Sequence, residues 1–145
     1  MRGLIQRVST AKVIVQDVTV GEIGQGLLLL LGVDKGDSEV QANKLVKKVL
    51  SYRVFPDHQE KMNLCLSDIN GGLLIVSQFT LSADTAKGLR PSFSSAAPPV
   101  EAERLYNYFI AHAQKECNSV ACGIFGADMK VHLINDGPVT FLLEA

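Results

Sequence analysis

Hydroxyl and amide side chains cluster at Ser77-Gln78-Phe79-Thr80-Leu81, directly after the apolar run Leu73-Leu74-Ile75-Val76. Polar groups where a buried strand stops mark the rim of a pocket. Ser77 or Thr80 could act there as a nucleophile, but a hydroxyl needs a base to take its proton, and none is adjacent. There is no G-x-S-x-G elbow. His58, His112 and His132 fall in a polar loop, a helix and a strand, and none stands at metal-ligand spacing from a cysteine or carboxylate, so no metal or cofactor is expected. The competing reading of the hydroxyls is polar capping of the strand end. A second cluster, Asn135-Asp136-Gly137-Pro138-Val139-Thr140, reads as a hairpin turn centred on Asp-Gly. A cis Gly137-Pro138 bond would turn the backbone sharply and aim carbonyl groups into a cavity, which composition alone does not decide. The series Gly21-x-x-Gly24-x-Gly26 lacks the Lys-Ser/Thr of a phosphate-binding loop and precedes a strand, so hairpin glycines account for it.

These clusters must be carried by a framework, and its elements are legible. Residues 3–15 and 18–23 are rich in β-branched residues with partial alternation, which predicts strands. Leu27–Val33 is apolar without alternation, as a central strand covered on both faces would be. Ser38 and Gln41 form a capping box ahead of Ala42, Leu45, Val46, Val49 and Leu50 at helical spacing, predicting a helix over 38–52. Lys44, Lys47 and Lys48 fall on its other faces and read as a solvated surface. Asn70-Gly71-Gly72 turns the chain into the strand 73–77. Residues 82–99 lack periodicity and carry Gly88, Pro91, Pro98 and Pro99, so they read as a long loop, ordered or disordered, of a length that is often functional. Pro98-Pro99 opens a second helix reaching about Lys115, with Ala102, Leu105, Phe109 and Ala113 on one face. Three further strands are expected near 120–126, 129–135 and 139–144. This order does not alternate as βα units do, so the expected class is α+β, with largely antiparallel, barrel-like sheets flanked by two main helices in one domain over residues 1–145.

Composition narrows the function. The chain has 145 residues, of which 47% are hydrophobic, and its 14 basic and 15 acidic residues give a net charge of −1. Such a balance excludes a protein that embraces nucleic acid by bulk electrostatics, and confines any polyanion contact to a local grip. Cys65, Cys117 and Cys122 form no even framework, which points to a reducing compartment. Arg7 interrupts the position of a signal-peptide core, and the run Leu27–Leu31 is far shorter than the roughly 20 residues of a membrane helix. A cytoplasmic protein without membrane contact is expected.

Taken together, Ser77-Gln78-Phe79-Thr80-Leu81, Gly88-Leu89-Arg90-Pro91-Ser92-Phe93 and Asn135-Asp136-Gly137-Pro138-Val139-Thr140 resemble the bacterial D-aminoacyl-tRNA deacylases. Leu4-Ile5-Gln6-Arg7-Val8, Gly21-Glu22-Ile23-Gly24 and Lys61-Met62-Asn63-Leu64 also fit, so the resemblance spans the chain. It implies a homodimeric proofreading hydrolase that cleaves the ester between a D-amino acid, or mischarged glycine, and the 3′ end of tRNA. It implies that Gly137-Pro138 is cis and lines the partner subunit's pocket, blocking an L side chain, with Arg7 holding the Gly-Pro carbonyls. It implies catalysis assisted by the 2′-hydroxyl of the terminal ribose, which would explain the missing base. Backbone N–H groups around Phe79 and Thr80 are then candidates for oxyanion stabilisation, Ser77 and Gln78 for shaping the pocket, and Phe125 and Met129 for contact near the terminal adenine. From the residues alone, Arg7 is equally a strand-pairing arginine, and Phe125 and Met129 are core residues. Two alternatives stand beside this reading: a hydrolase with Thr80 as covalent nucleophile, and a non-catalytic module that binds a small ligand or an RNA end.

Overall fold

A computed structural model describes residues 1–145. One mixed sheet dominates. Its longest early strand, β1 (Arg2–Val15), pairs antiparallel along one side with β2 (Val18–Ile23) and β3 (Gly26–Gly32), which lie end to end. After α1 (Glu39–Ser51), a short ribbon forms from β4 (Phe55–Pro56) and β5 (Met62–Leu64). The chain re-enters the main sheet as β6 (Gly72–Ser77), parallel to β3, and after α2 (Pro99–Glu116) as β7 (Val120–Cys122), parallel to β6. Finally β8 (Lys130–Glu144) pairs antiparallel along the other side of β1. The sheet curls until β7 meets β2: a Cβ on Gly21 would lie 2.6 Å from the Cys122 carbonyl oxygen, so only a residue without a side chain permits this closure.

Two apolar cores explain why β3 and β6 show no alternation. Leu27, Leu29 and Leu31, with Leu73 and Ile75, face the helices and pack with Leu45, Val49, Leu105 and Phe109. Leu28, Leu74 and Val76 point the other way, into a smaller core with Val8, Ala11, Val13 and Ile23 inside the curled sheet. Each fully buried leucine contributes about 2 kcal/mol of transfer free energy, so both faces of these strands are committed. The helices start as their sequences require. Ser38 accepts from the Val40 N–H, and the Ser38–Gln41 capping box is complete. Pro99 opens α2 with Glu101 in its first turn.

The barrel-like α+β architecture with two helices matches expectation, with two differences. The pairings β3–β6 and β6–β7 are parallel, each spanned by one of the helices, so the chain holds two crossover units that the irregular element order disguised. The expected strands 129–135 and 139–144 are one strand, β8, and Asp136-Gly137-Pro138-Val139 is no hairpin turn. Asn135 pairs with Val8 and Thr140 with Gln6, so these four residues bulge out opposite the single residue Arg7. A local turn signal was overridden because β1 offers a continuous edge on which both halves of β8 can pair. No helix is long and apolar enough to cross a membrane.

Candidate active site

At the end of β6 the Gln78 N–H donates to the Leu31 carbonyl (2.8 Å), extending the β3 ladder by one residue before the chain leaves the sheet. It enters a single 3₁₀ turn, Phe79–Ser82, with no side-chain cap at its start. The first N–H groups of such a turn have no acceptor within it, so those of Phe79 and Thr80 are available as donors. Gly32 lets the turn press onto β3; a Cβ there would sit 3.0 Å from that of Leu81. The turn is held from two sides. Arg2 NH1 donates to the Leu81 carbonyl (3.1 Å) while its Nε pairs with Asp34 (3.0 Å), and buried Ser82 accepts from Ser95 at its own carbonyl.

The long segment 83–98 is ordered against this turn. Asp84 and Ser92 exchange backbone hydrogen bonds (2.8 and 3.0 Å), and Phe93 places its ring 4.9 Å from that of Phe79. Beside the pair lies an open cavity of about 500 Å³ whose lining includes Ser77, Gln78, Phe79, Tyr106, Phe125 and Met129. Its walls are mainly apolar, with Ser77, Gln78 and Asp128 among the few polar groups. Phe125 packs its ring 5.8 Å from that of Tyr106, and Met129 lies against Gly123. Four scattered segments therefore converge on one concavity.

The hydroxyls have no activating partner. Thr80 Oγ1 accepts from Gln78 Nε2, and neither Ser77 nor Thr80 hydrogen-bonds a histidine or a carboxylate. No cluster of histidine, cysteine, aspartate and glutamate side chains could hold a metal ion. Tyr106, which the sequence did not single out, lines the cavity and donates to the carbonyls of Ile75 (3.0 Å) and Gly123 (3.4 Å). Burial pushes its phenol well above the ordinary range, with Cys122 nearby adding to the effect, so it stays protonated and serves as a fixed donor. Its only signal in the sequence was a hydroxyl on the buried stripe of α2.

Arg7, Gly137 and Pro138 lie elsewhere. Gly137-Pro138 is cis and exposed at the tip of the β8 bulge. The Arg7 guanidinium, mostly buried, donates through Nε to the Asp136 carbonyl and through NH1 to the Val54 carbonyl, both at 2.7 Å. It thus grips the carbonyl one residue before the glycine. Arg7 stands level with Leu27 and Leu73, four residues along β6 from Ser77, and the bulge is three strands away from β6. At ~3.3 Å per residue and ~4.8 Å per strand, the bulge and Ser77 are on the order of 20 Å apart across the sheet. Ser77, Gln78, Phe79, Phe125 and Met129 are brought together, with Thr80 hydrogen-bonded at their margin; Arg7, Gly137 and Pro138 form a separate group.

Comparison with known proteins places this architecture. The sequence model of the family described as D-Tyr-tRNA(Tyr) deacylase matches residues 4–144. The chain belongs to this family. Among its relatives, the D-aminoacyl-tRNA deacylase of Stutzerimonas stutzeri (strain A1501) is 62% identical over the full length of both chains. That of Pseudoalteromonas translucida (strain TAC 125) is 61% identical over 99% of each. A solved structure named c-Myc DNA Unwinding Element Binding Protein superposes with a TM-score of 0.96 at 38% identity, covering 100% of this chain and 99% of that one. A probable eukaryotic D-amino acid tRNA deacylase shares the fold alone, with a TM-score of 0.83 at 17% identity over 99% and 98% of the two chains. Membership in this family makes the chain a hydrolase of ester bonds.

Proposed function

We propose that the chain proofreads charged tRNA in the cytoplasm, hydrolysing the ester that joins a D-amino acid or glycine to the terminal ribose and sparing the L-aminoacyl ester. Water adds to the ester carbonyl, the bond to the ribose 3′-oxygen breaks with that oxygen leaving protonated, and free amino acid and tRNA result. The observation that carries this reading is a cavity lined by Ser77, Gln78 and Phe79 in which no nucleophile is paired with a base, in a chain 62% identical to a D-aminoacyl-tRNA deacylase. Such a site suits a substrate that brings its own helper, the neighbouring 2′-hydroxyl, while the N–H groups of Phe79 and Thr80 meet the developing oxyanion. The near-neutral charge suits a grip on the acceptor tip rather than on the whole tRNA.

Selection in this reading is by rejection, and it requires two copies. The Gly137-Pro138 bulge of a second chain enters the cavity, where its backbone carbonyls occupy the space an L side chain would need. A D side chain points away, and glycine has nothing to exclude. Two features support assembly from two chains: the bulge is too far from Ser77 to serve its own cavity, and β8 has an unpaired outer edge with Ile134, Phe141 and Leu142 exposed.

The test is release of free amino acid from D-tyrosyl-, glycyl- and L-tyrosyl-tRNA by purified protein. The D and glycyl esters should be cleaved faster than the L ester by on the order of a hundredfold. Equal rates on the two enantiomers would remove the rejection mechanism, and binding without release would identify a binding module. Thr80→Ala should retain turnover within about fivefold, as expected for losing one hydrogen bond, whereas loss of turnover with tRNA binding intact would make Thr80 a covalent nucleophile.

A further inference from the structure

The bulge on β8 has a neck, and one side chain closes it. Between Asn135 and Thr140 the β1 ladder is interrupted, so the backbone groups of the four intervening residues have lost their regular partners. The carboxamide of Asn135 replaces those of Val139. Its Oδ1 accepts from the Val139 N–H (2.7 Å), and its Nδ2 donates to Thr140 Oγ1 (3.0 Å) and to the Val139 carbonyl (3.3 Å). The orientation of this amide is dictated by chemistry, because a backbone N–H can only donate and a carbonyl can only accept. Thr140 Oγ1 also accepts from Gln6 Nε2 (3.4 Å), linking the neck to β1. The loop from 136 to 139 is therefore pinned at three places: at its neck by Asn135, at Asp136 by Arg7, which is itself anchored on the Val54 carbonyl, and at Val139 by burial of its side chain in the helix-facing core.

We propose that Asn135 is a positioning residue for enantiomer selection, fixing the direction in which the Gly137-Pro138 carbonyls project. This rests on the reading of the bulge as the element that rejects L substrates. A barrier made of backbone discriminates only as sharply as it is rigid, since a displacement of one ångström opens room for the side chain it should exclude. Arg7 alone restrains one carbonyl on the entering limb. Without Asn135 the returning limb keeps only the burial of the Val139 side chain and the pairing of Thr140 with Gln6, with no bond across the neck, and the tip is freer to shift about the Arg7 contact. The sequence offered no reason to single out this asparagine, which there reads as an ordinary turn residue.

The test compares deacylation of D-tyrosyl- and L-tyrosyl-tRNA by Asn135→Ala, Thr140→Val and Gly137→Ala proteins, with thermal melting to establish that each is folded. The ratio of D to L rates separates positioning from structure, because a general loss of stability lowers both rates together. Asn135→Ala should lower the ratio by on the order of tenfold through a rise in the L rate, matching the loss of up to three hydrogen bonds. Thr140→Val keeps a β-branched strand residue and removes one of them, so the fall should be a few-fold; if Asn135→Ala does not fold, this variant decides. An unchanged ratio in both, with a lowered one in Gly137→Ala, overturns the role of Asn135 and leaves the bulge reading standing. An unchanged ratio in all three overturns the bulge reading and this proposal with it.

Discussion

The concave end of the sheet and its bulged edge are built by opposite means. The cavity beside Ser77 is a meeting of side chains, with Phe79 on Phe93, Phe125 on Tyr106 and Met129 against Gly123. The β8 bulge presents backbone, held from behind by the side chains of Arg7 and Asn135. A side-chain wall recognises what fits it; a backbone wall excludes by position and is indifferent to the identity of the group excluded. On the proposed reading the first surface sets how fast an ester is cleaved, and the second sets which enantiomer is cleaved.

Substitutions at the two ends should therefore fail differently. Gly137→Ala is expected to have the largest effect. The glycine has φ +153, and an added Cβ would lie 2.6 Å from Val139 Cγ2 and 2.8 Å from the Val139 nitrogen. The bulge must shift, and the D-to-L rate ratio should fall on the order of a hundredfold. If both rates fall equally instead, the two ends do the same work and the contrast is lost. Phe79→Ala removes an exposed aromatic rim from the cavity and should lower kcat/KM on the order of tenfold for D and L esters alike, leaving their ratio unchanged. A changed ratio would mean that the cavity wall also selects. Tyr106→Phe is the smallest and concerns stability: it deprives the Gly123 carbonyl of a partner and should cost about 1 kcal/mol in urea unfolding. Because burial raises the folded-state phenol above its ordinary ionisation near 10, the stability tied to Tyr106 is full below about pH 10 and is lost as pH rises beyond it. Tyr106→Phe should flatten that alkaline decline, measured as unfolding free energy against pH.

Much of the framework was legible because it is local. The capping box of Ser38 and Gln41, the apolar stripe of α1 and the unalternating leucines of β3 are each decided by residues within two turns or a few strand positions. The hydroxyl cluster at Ser77–Thr80 stood out for the same reason, as a change of polarity at a strand end. Asp136-Gly137 was misleading because turn chemistry describes what a segment can do alone, and here the uninterrupted edge of β1 held both flanks in one strand. Tyr106 was not legible as a site residue, and Phe93 and Asn135 stood in recognisable motifs without any sign of what their own side chains do, since each looks ordinary beside its neighbours in the chain.

Sequence by itself determined the two helices and most of the strands, that no charge surplus is available for gripping a polyanion, and that no base stands beside the hydroxyls in the chain. Local propensity and composition suffice for these. Only the tertiary structure decided that Ser77, Phe79, Phe125 and Met129 border one concavity while Gly137-Pro138 projects on the order of 20 Å away. That outcome follows from strand order and register, which are set by burial of two cores on opposite faces of β3 and β6, a property no single segment contains.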